Sequence, residues 1–119
     1  MWYIVYRNPE RVIMIDVLSI DSLRALCSDR SIYWTEHTIK RLRERGIRRE
    51  SVKQCIMSGI IIEEYPDDYP FPSCLILGRT IDSKPLHVVV GVGNRMIWIV
   101  TAYYPNPDEW NEDYSVRRE

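Results

Sequence analysis

Two histidines limit the acid–base chemistry open to this chain, since imidazole is the side chain whose ordinary titration falls between pH 5 and 8. His37 lies in the stretch Thr35-Glu-His-Thr-Ile-Lys-Arg-Leu-Arg-Glu-Arg-Gly-Ile47, which reads as a short helix. Thr35 is a good N-cap and Gly46 a good left-handed stop. At roughly 100° per residue, Ile39 and Leu42 fall on one side. His37, Lys40, Arg41, Glu44, Arg45 and Arg48 gather on the other. An imidazole beside several cations suits phosphate as a guest: the ring moves a proton and the cations meet the oxyanion charge. The plain alternative is a solvated helix face.

His87 lies in the apolar strand pattern Leu86-His-Val-Val-Val-Gly-Val92, where a hydrogen-bonded core histidine is the commoner outcome. Its neighbours depend on the following hairpin. A loop of two or four residues places it with Trp98 and Val100; a loop of three or five places it with Ile99, Thr101 and Tyr103. Only the second arrangement builds a polar site, from His87, Thr101 and Tyr103. The four tyrosines Tyr65, Tyr69, Tyr103 and Tyr104 could stack on bases or complete a small sheet.

Other chemistries find little support. Neither histidine has a second metal ligand at close spacing, so no metal site and no cofactor is expected. There is no Gly-x-Ser-x-Gly, P-loop or Gly-x-Gly-x-x-Gly motif, and Gly91-Val-Gly93 sits in a hairpin context. Cys27, Cys55 and Cys74 are odd in number and widely spaced, which argues for buried thiols over disulfides or a zinc knuckle.

The elements that must position these residues can be read from periodicity. Residues 1–17 hold two apolar runs, Trp2–Tyr6 and Val12–Val17, around a turn-like break. They read as a hairpin, a strand followed by a helix, or an extension. Helices are expected near 19–27, 35–45 and 48–58, the last stopped by Gly59. From Ile60 the period becomes that of strands: 60–65, 73–80, 86–92 and 95–104, joined by short loops. This predicts an α+β fold, N-terminal helices packed on one face of a four-stranded antiparallel sheet. The division expected is an N-terminal extension over 1–31, a core domain over 32–105 and an acidic surface tail over 106–119.

With 119 residues and 45% hydrophobic content, one domain with one core is expected. The net charge of −1 does not itself favour a polyanion. Its distribution matters more: between Lys40 and Lys53 seven Lys or Arg face only Glu44 and Glu50. Acidic residues cluster at 63–68 and 108–113. No apolar run approaches the ~18 residues of a membrane span, and the N-terminus lacks the pattern of a secretory signal, so a cytoplasmic protein is expected.

A string of short motifs adds to this reading. Trp34-Thr-Glu-His37 leads into Lys40-Arg-Leu-Arg-Glu-Arg-Gly-Ile47. Then come Gly59-Ile-Ile-Ile-Glu-Glu-Tyr-Pro66, Asp67 or Asp68 with Pro72-Ser73, and Leu75-Ile-Leu-Gly78. Lys84-Pro-Leu-His-Val-Val89 and Ile99-Val-Thr-Ala-Tyr-Tyr-Pro105 complete it. In this order the stretch from about Ile32 to Pro105 resembles the bacterial family called domain of unknown function 4258. That family resembles the RelE- and BrnT-type toxins, and the resemblance implies a RelE-like fold. It also implies the toxin half of a type II toxin–antitoxin pair, often beside a small zinc-finger antitoxin, with metal-independent RNA cleavage as its activity. The implied roles are His37 as base or acid, Arg41 and Arg45 on phosphate, and Lys40 in support. His87 would be a second acid–base group and Thr101 or Tyr103 a hydrogen-bond donor. Arg48 and Arg49 add RNA-binding charge, Arg48 standing where a small capping residue is expected. Two rivals remain: a non-catalytic module of the same fold binding RNA or a protein, and a structural or oligomeric protein in which the Trp2–Tyr6 strand extends the sheet or pairs with a second copy.

Overall fold

A computed structural model describes residues 2–8, 11–16 and 18–119. The chain opens with strands β1 (Trp2–Asn8) and β2 (Arg11–Asp16), paired antiparallel as a sheet of their own. Of the readings open for this stretch, a hairpin is the one that forms; the expected strand end at Val17 lies outside the described residues. Helix α1 (Ile20–Ser28) follows, capped by Ser19, whose hydroxyl accepts from the Ser22 N–H at 3.1 Å. A short strand β3 (Ile32–Trp34) leads into α2 (Glu36–Glu44) and α3 (Arg49–Ser58). Strands β4 (Ile60–Tyr65), β5 (Ser73–Arg79), β6 (Pro85–Gly93) and β7 (Met96–Tyr103) complete the order.

The sheet corrects the four-stranded, antiparallel, RelE-like expectation. Five strands lie in the order β3-β7-β6-β5-β4, and β3 runs parallel to β7, so the sheet is mixed. β4 to β7 form the expected antiparallel meander. The missed strand has three residues and pairs with a partner some sixty-five positions away, Ile32 opposite Ile97. Neither a period nor a turn signal can announce so short and non-local a pairing.

One face of the sheet carries the helices. Leu23, Leu42, Val52, Cys55 and Ile56 from the helices pack with Ile76, Leu86, Val88, Val90 and Ile99 from the strands. α3 lies unusually close to β5. A Cβ at Gly78 would stand 2.2 Å from the carbonyl oxygen of Cys55, and one at Gly59 2.5 Å from it. Cys55 itself is fully buried, its Sγ 3.3 Å from the Leu86 carbonyl oxygen. Burial pushes its thiol up to about 12, so it packs as a small hydrophobe.

The register of the β6–β7 hairpin resolves His87 in an unexpected way. The loop is the two-residue kind, Gly93 opposite Met96, with Asn94 and Arg95 both at positive φ (53° and 60°). That loop alone would set His87 with Trp98 and Val100. A bulge intervenes: Val90 pairs with Ile99 but Val89 with Thr101, leaving Val100 as the extra residue. Beyond it the alternation flips, and His87 lies opposite Tyr103. Trp98, Thr101 and Tyr103 thereby share the sheet face turned away from the helices.

Gly78→Ala is expected to destabilise the protein by about 1–3 kcal/mol or more, because the new methyl meets rigid backbone of α3. Chemical denaturation of the variant checks this; an unchanged midpoint would mean that α3 can move off the sheet freely.

Candidate functional site

α2 presents His37, Arg41 and Arg45 at every fourth residue, so successive members are turned by only roughly 40°. They form a stripe beside the buried pair Thr38 and Leu42, each 3% exposed. The helix starts cleanly because the Thr35 hydroxyl accepts from the Thr38 N–H at 3.0 Å. It stops at Arg45, with Gly46 at φ 66° beyond it.

Both ends of the stripe are tied to β7. β3 pairs with β7 only at Ile97, Trp98 and Ile99, so the strand's edge carbonyls beyond that point need other donors. Thr38 supplies one, its Oγ1 donating to the Ile99 oxygen at 3.0 Å. Arg45 supplies another: Nη1 donates to the Ala102 oxygen at 2.8 Å and to Thr101 Oγ1 at 2.9 Å. His37 lines a cleft with Trp98 and Val100 at the other end. Arg41 lies between them, half exposed and, among the described residues, paired with Glu44 at 3.3 Å, an (i,i+3) contact of small worth.

His87 is somewhere else. It is fully buried. Its Nε2 lies 2.9 Å from the Tyr114 carbonyl oxygen, which can only accept, so Nε2 carries the hydrogen. Nδ1 then accepts from the Tyr103 hydroxyl at 3.3 Å. The indole of Trp110 packs edge-on against the imidazole at 4.4 Å. Burial holds the ring below its ordinary value, partly offset by the Tyr114 carbonyl and the Glu63 carboxylate. Tyr103 is correspondingly pushed up by burial. This is a satisfied core histidine.

The cover over His87 comes from residues 106–119, expected as an acidic surface tail. Most of these residues are exposed, but Trp110 is only 1% exposed and anchors the segment to the sheet. The Arg117 guanidinium lies 4.7 Å over the Trp110 ring and grips Glu63 through Nε at 2.8 Å and Nη2 at 3.0 Å. Tyr65 donates to the same carboxylate at 2.5 Å. Arg117 therefore holds Glu63 below the usual carboxylate range, while burial and the Glu63 contact push Tyr65 up to about 12.

The remaining cations lie off the stripe. Lys40 is exposed on the outer side of α2. Arg48 begins α3 with no side-chain cap, and Arg49 stands 5.6 Å over the Trp34 ring. With Arg43, Arg48 and Arg49 border a recess of about 470 Å³ between α2 and α3. The structure thus brings His37, Arg41 and Arg45 to one edge of β7 with Thr101 bonded to Arg45, while His87, on the sheet face it shares with Thr101, is enclosed by the tail.

Two residues of the His37 cleft escaped assignment from sequence. Asp68 and Ser73 line it, and the Ser73 hydroxyl donates to Asp68 Oδ2. Both stood in the motif string, the one signal that could have marked them. A larger apolar recess of about 620 Å³ between α1 and the β6–β7 turn carries Arg95 as its one charged residue and none of these groups. Among the described residues no group of three or more His, Cys, Asp or Glu is placed to hold a metal ion. No helix among them is long and apolar enough to cross a membrane.

Residues 34–104 match the family described as domain of unknown function (DUF4258), and the chain belongs to that family. The matched span runs from β3 to the end of β7, enclosing the α2 stripe and the cleft. Comparison with curated proteins and with solved structures gives no match.

The buried neutral His87 makes stability depend on pH. As pH falls through about 6.5 the unfolded chain takes up a proton that the folded chain refuses until lower pH. Its contribution is complete above about 6.5, declines below it, and levels off beneath the folded value. Denaturation of the wild type between pH 7.5 and 5.5 should show an extra loss of up to about 1.4 kcal/mol per pH unit, absent in His87→Gln. Parallel curves for the two proteins would contradict this.

Proposed function

We propose that the protein is the toxin of a type II toxin–antitoxin pair, a metal-independent endoribonuclease acting from the α2 edge of β7. The observation that carries the reading is the His37–Arg41–Arg45 stripe, held at both ends to one strand beside a sheet face bearing Thr101. The likeness of its family to the RelE- and BrnT-type toxins supports it; the sheet, being five-stranded and mixed, adds nothing to that kinship.

In the reaction the RNA 2′-oxygen forms a bond to the adjacent phosphorus as the bond to the 5′-oxygen breaks. The products are a 2′,3′-cyclic phosphate and a free 5′-hydroxyl. His37 takes the proton of the attacking hydroxyl. Arg41 and the N–H groups of Arg45 not committed to β7 neutralise the charge that develops on the equatorial oxygens. In-line displacement puts attacking and leaving oxygens on opposite sides of phosphorus, so one imidazole cannot serve both at once. With His87 enclosed, solvent protonates the leaving 5′-oxygen. Lys40, Arg48 and Arg49 extend the path for the RNA backbone. A cytoplasmic site of action and a small zinc-finger antitoxin belong to the same reading.

The burial of His87 favours a second reading, a module that binds RNA or a protein partner without cleaving. It needs the cations and neither imidazole.

Induction in a bacterial host, with growth and total RNA followed together, separates the two. Wild type should arrest growth and produce new RNA ends, while His37→Ala and Arg41→Ala should do neither although they fold. Soluble wild type that leaves growth and RNA untouched overturns the nuclease. In titrations with single-stranded RNA, Arg41→Ala should weaken binding and reduce the slope of log affinity against log salt by about 0.7. An unchanged slope would remove Arg41 from the phosphate path.

A further inference from the structure

We infer that the cleft beside His37 is a guanine-reading subsite, which sets where the proposed nuclease cuts; the inference rests on that proposed function. The cleft holds about 480 Å³ and is lined by Phe71, Trp98 and the buried Ser73, with the exposed side chains of Asp68, Tyr69 and His37 bordering it. Its Trp98 wall is preorganised. Trp98 is fixed by a 2.9 Å bond from Nε1 to the Gly93 oxygen and by ring contacts with Tyr33 at 4.5 Å and Phe71 at 5.2 Å. Tyr69 is 96% exposed, a bare aromatic ring available for stacking.

The carboxylate bordering the cleft selects the occupant. Ser73 is only 2% exposed, and its hydroxyl pins one oxygen of the Asp68 carboxylate. The loop is held from the other side by the Asp68 N–H, which donates to the Tyr65 oxygen at 3.3 Å. Among the described residues Asp68 Oδ1 has no hydrogen-bond partner. A carboxylate repels phosphate, so phosphate belongs on the cationic stripe and the cleft takes an uncharged, flat group rich in donors. Guanine alone among the bases offers two adjacent donors, N1–H and N2–H, to a carboxylate fork. Adenine and cytosine set a ring-nitrogen acceptor beside their amino group, and uracil flanks its one N–H with two carbonyls; both arrangements turn a lone pair toward Asp68.

The test uses short single-stranded RNAs carrying one variable base, with a 2′-deoxy substitution at the attacked sugar for binding and all-ribose versions for cleavage. Guanosine should bind about 5- to 100-fold more tightly than adenosine, cytidine or uridine. Inosine, which lacks the N2 amino group, should lose most of that margin. Asp68→Asn and Asp68→Ala should erase the preference while leaving base-independent binding in place, and Tyr69→Ala should weaken all bases alike. Circular dichroism confirms that each variant is folded. RNA bound or cut without regard to base, or a guanine preference that survives Asp68→Ala, overturns the subsite and leaves the nuclease standing. No binding of any of these RNAs overturns both.

Discussion

Everything at the candidate site depends on how the far half of β7 satisfies its edge. β3 is too short to pair beyond Ile99, and a strand edge with unmet carbonyls is both costly and prone to adventitious pairing. Here the edge is closed by a helix, through the Thr38 hydroxyl and the Arg45 guanidinium. That solution fixes α2 in rotation as well as position. Thr38 and Arg45 must face the strand, and His37 and Arg41, a turn before each of Arg41 and Arg45, are carried onto the adjoining flank. The cationic stripe is thus a by-product of edge closure, which gives Arg45 a structural duty beside the phosphate contact proposed for it. Arg41, paired among the described residues with an exposed Glu44, makes no bond to β7 there.

The bulge at Val100 is the second half of the same constraint. It adds one residue at the point where β3 ends and α2 takes over, and it reverses the alternation of β7. Trp98 and Thr101, which strict alternation would put on opposite faces, now look the same way. The open face therefore combines an aromatic wall near His37 with a hydroxyl near Arg45.

How much of this was legible depended on the range of each interaction. The helices announced themselves through local signals: Ser19 and Thr35 as caps, Gly46 as a stop, and apolar residues at helical spacing. The antiparallel meander was equally local. What failed was non-local. β3 shows itself only once β7 is beside it. A two-residue turn was one of the loop lengths left open, but the bulge cancelled its consequence for His87, and nothing in Ile99-Val-Thr-Ala marks the inserted residue. Trp110 looked like part of a polar tail because its partners, His87 and Arg117, become neighbours only in the fold. The α2 stripe was readable because helical periodicity is local; its separation from His87 was not, because that is decided by the tail.

The two histidines have accordingly been assigned opposite physical tasks. His87 is held neutral by burial, with both ring nitrogens occupied, and protonating it would cost the bond from Tyr103 because Nδ1 would become a donor. It helps keep the tail on the sheet. His37 is exposed at the mouth of a cleft. In the proposed cleavage one accessible imidazole cannot supply both proton transfers of an in-line displacement, so the rate enhancement would lean on fixed charge and positioning. The fold supplies both: cations line one flank of α2, while Asp108, Glu109, Glu112 and Asp113 stand exposed on the tail. A polyanion meets attraction along the helix and repulsion at the tail, a field with direction although the net charge is only −1. Arg117 does not blur that contrast, because Glu63 already neutralises it.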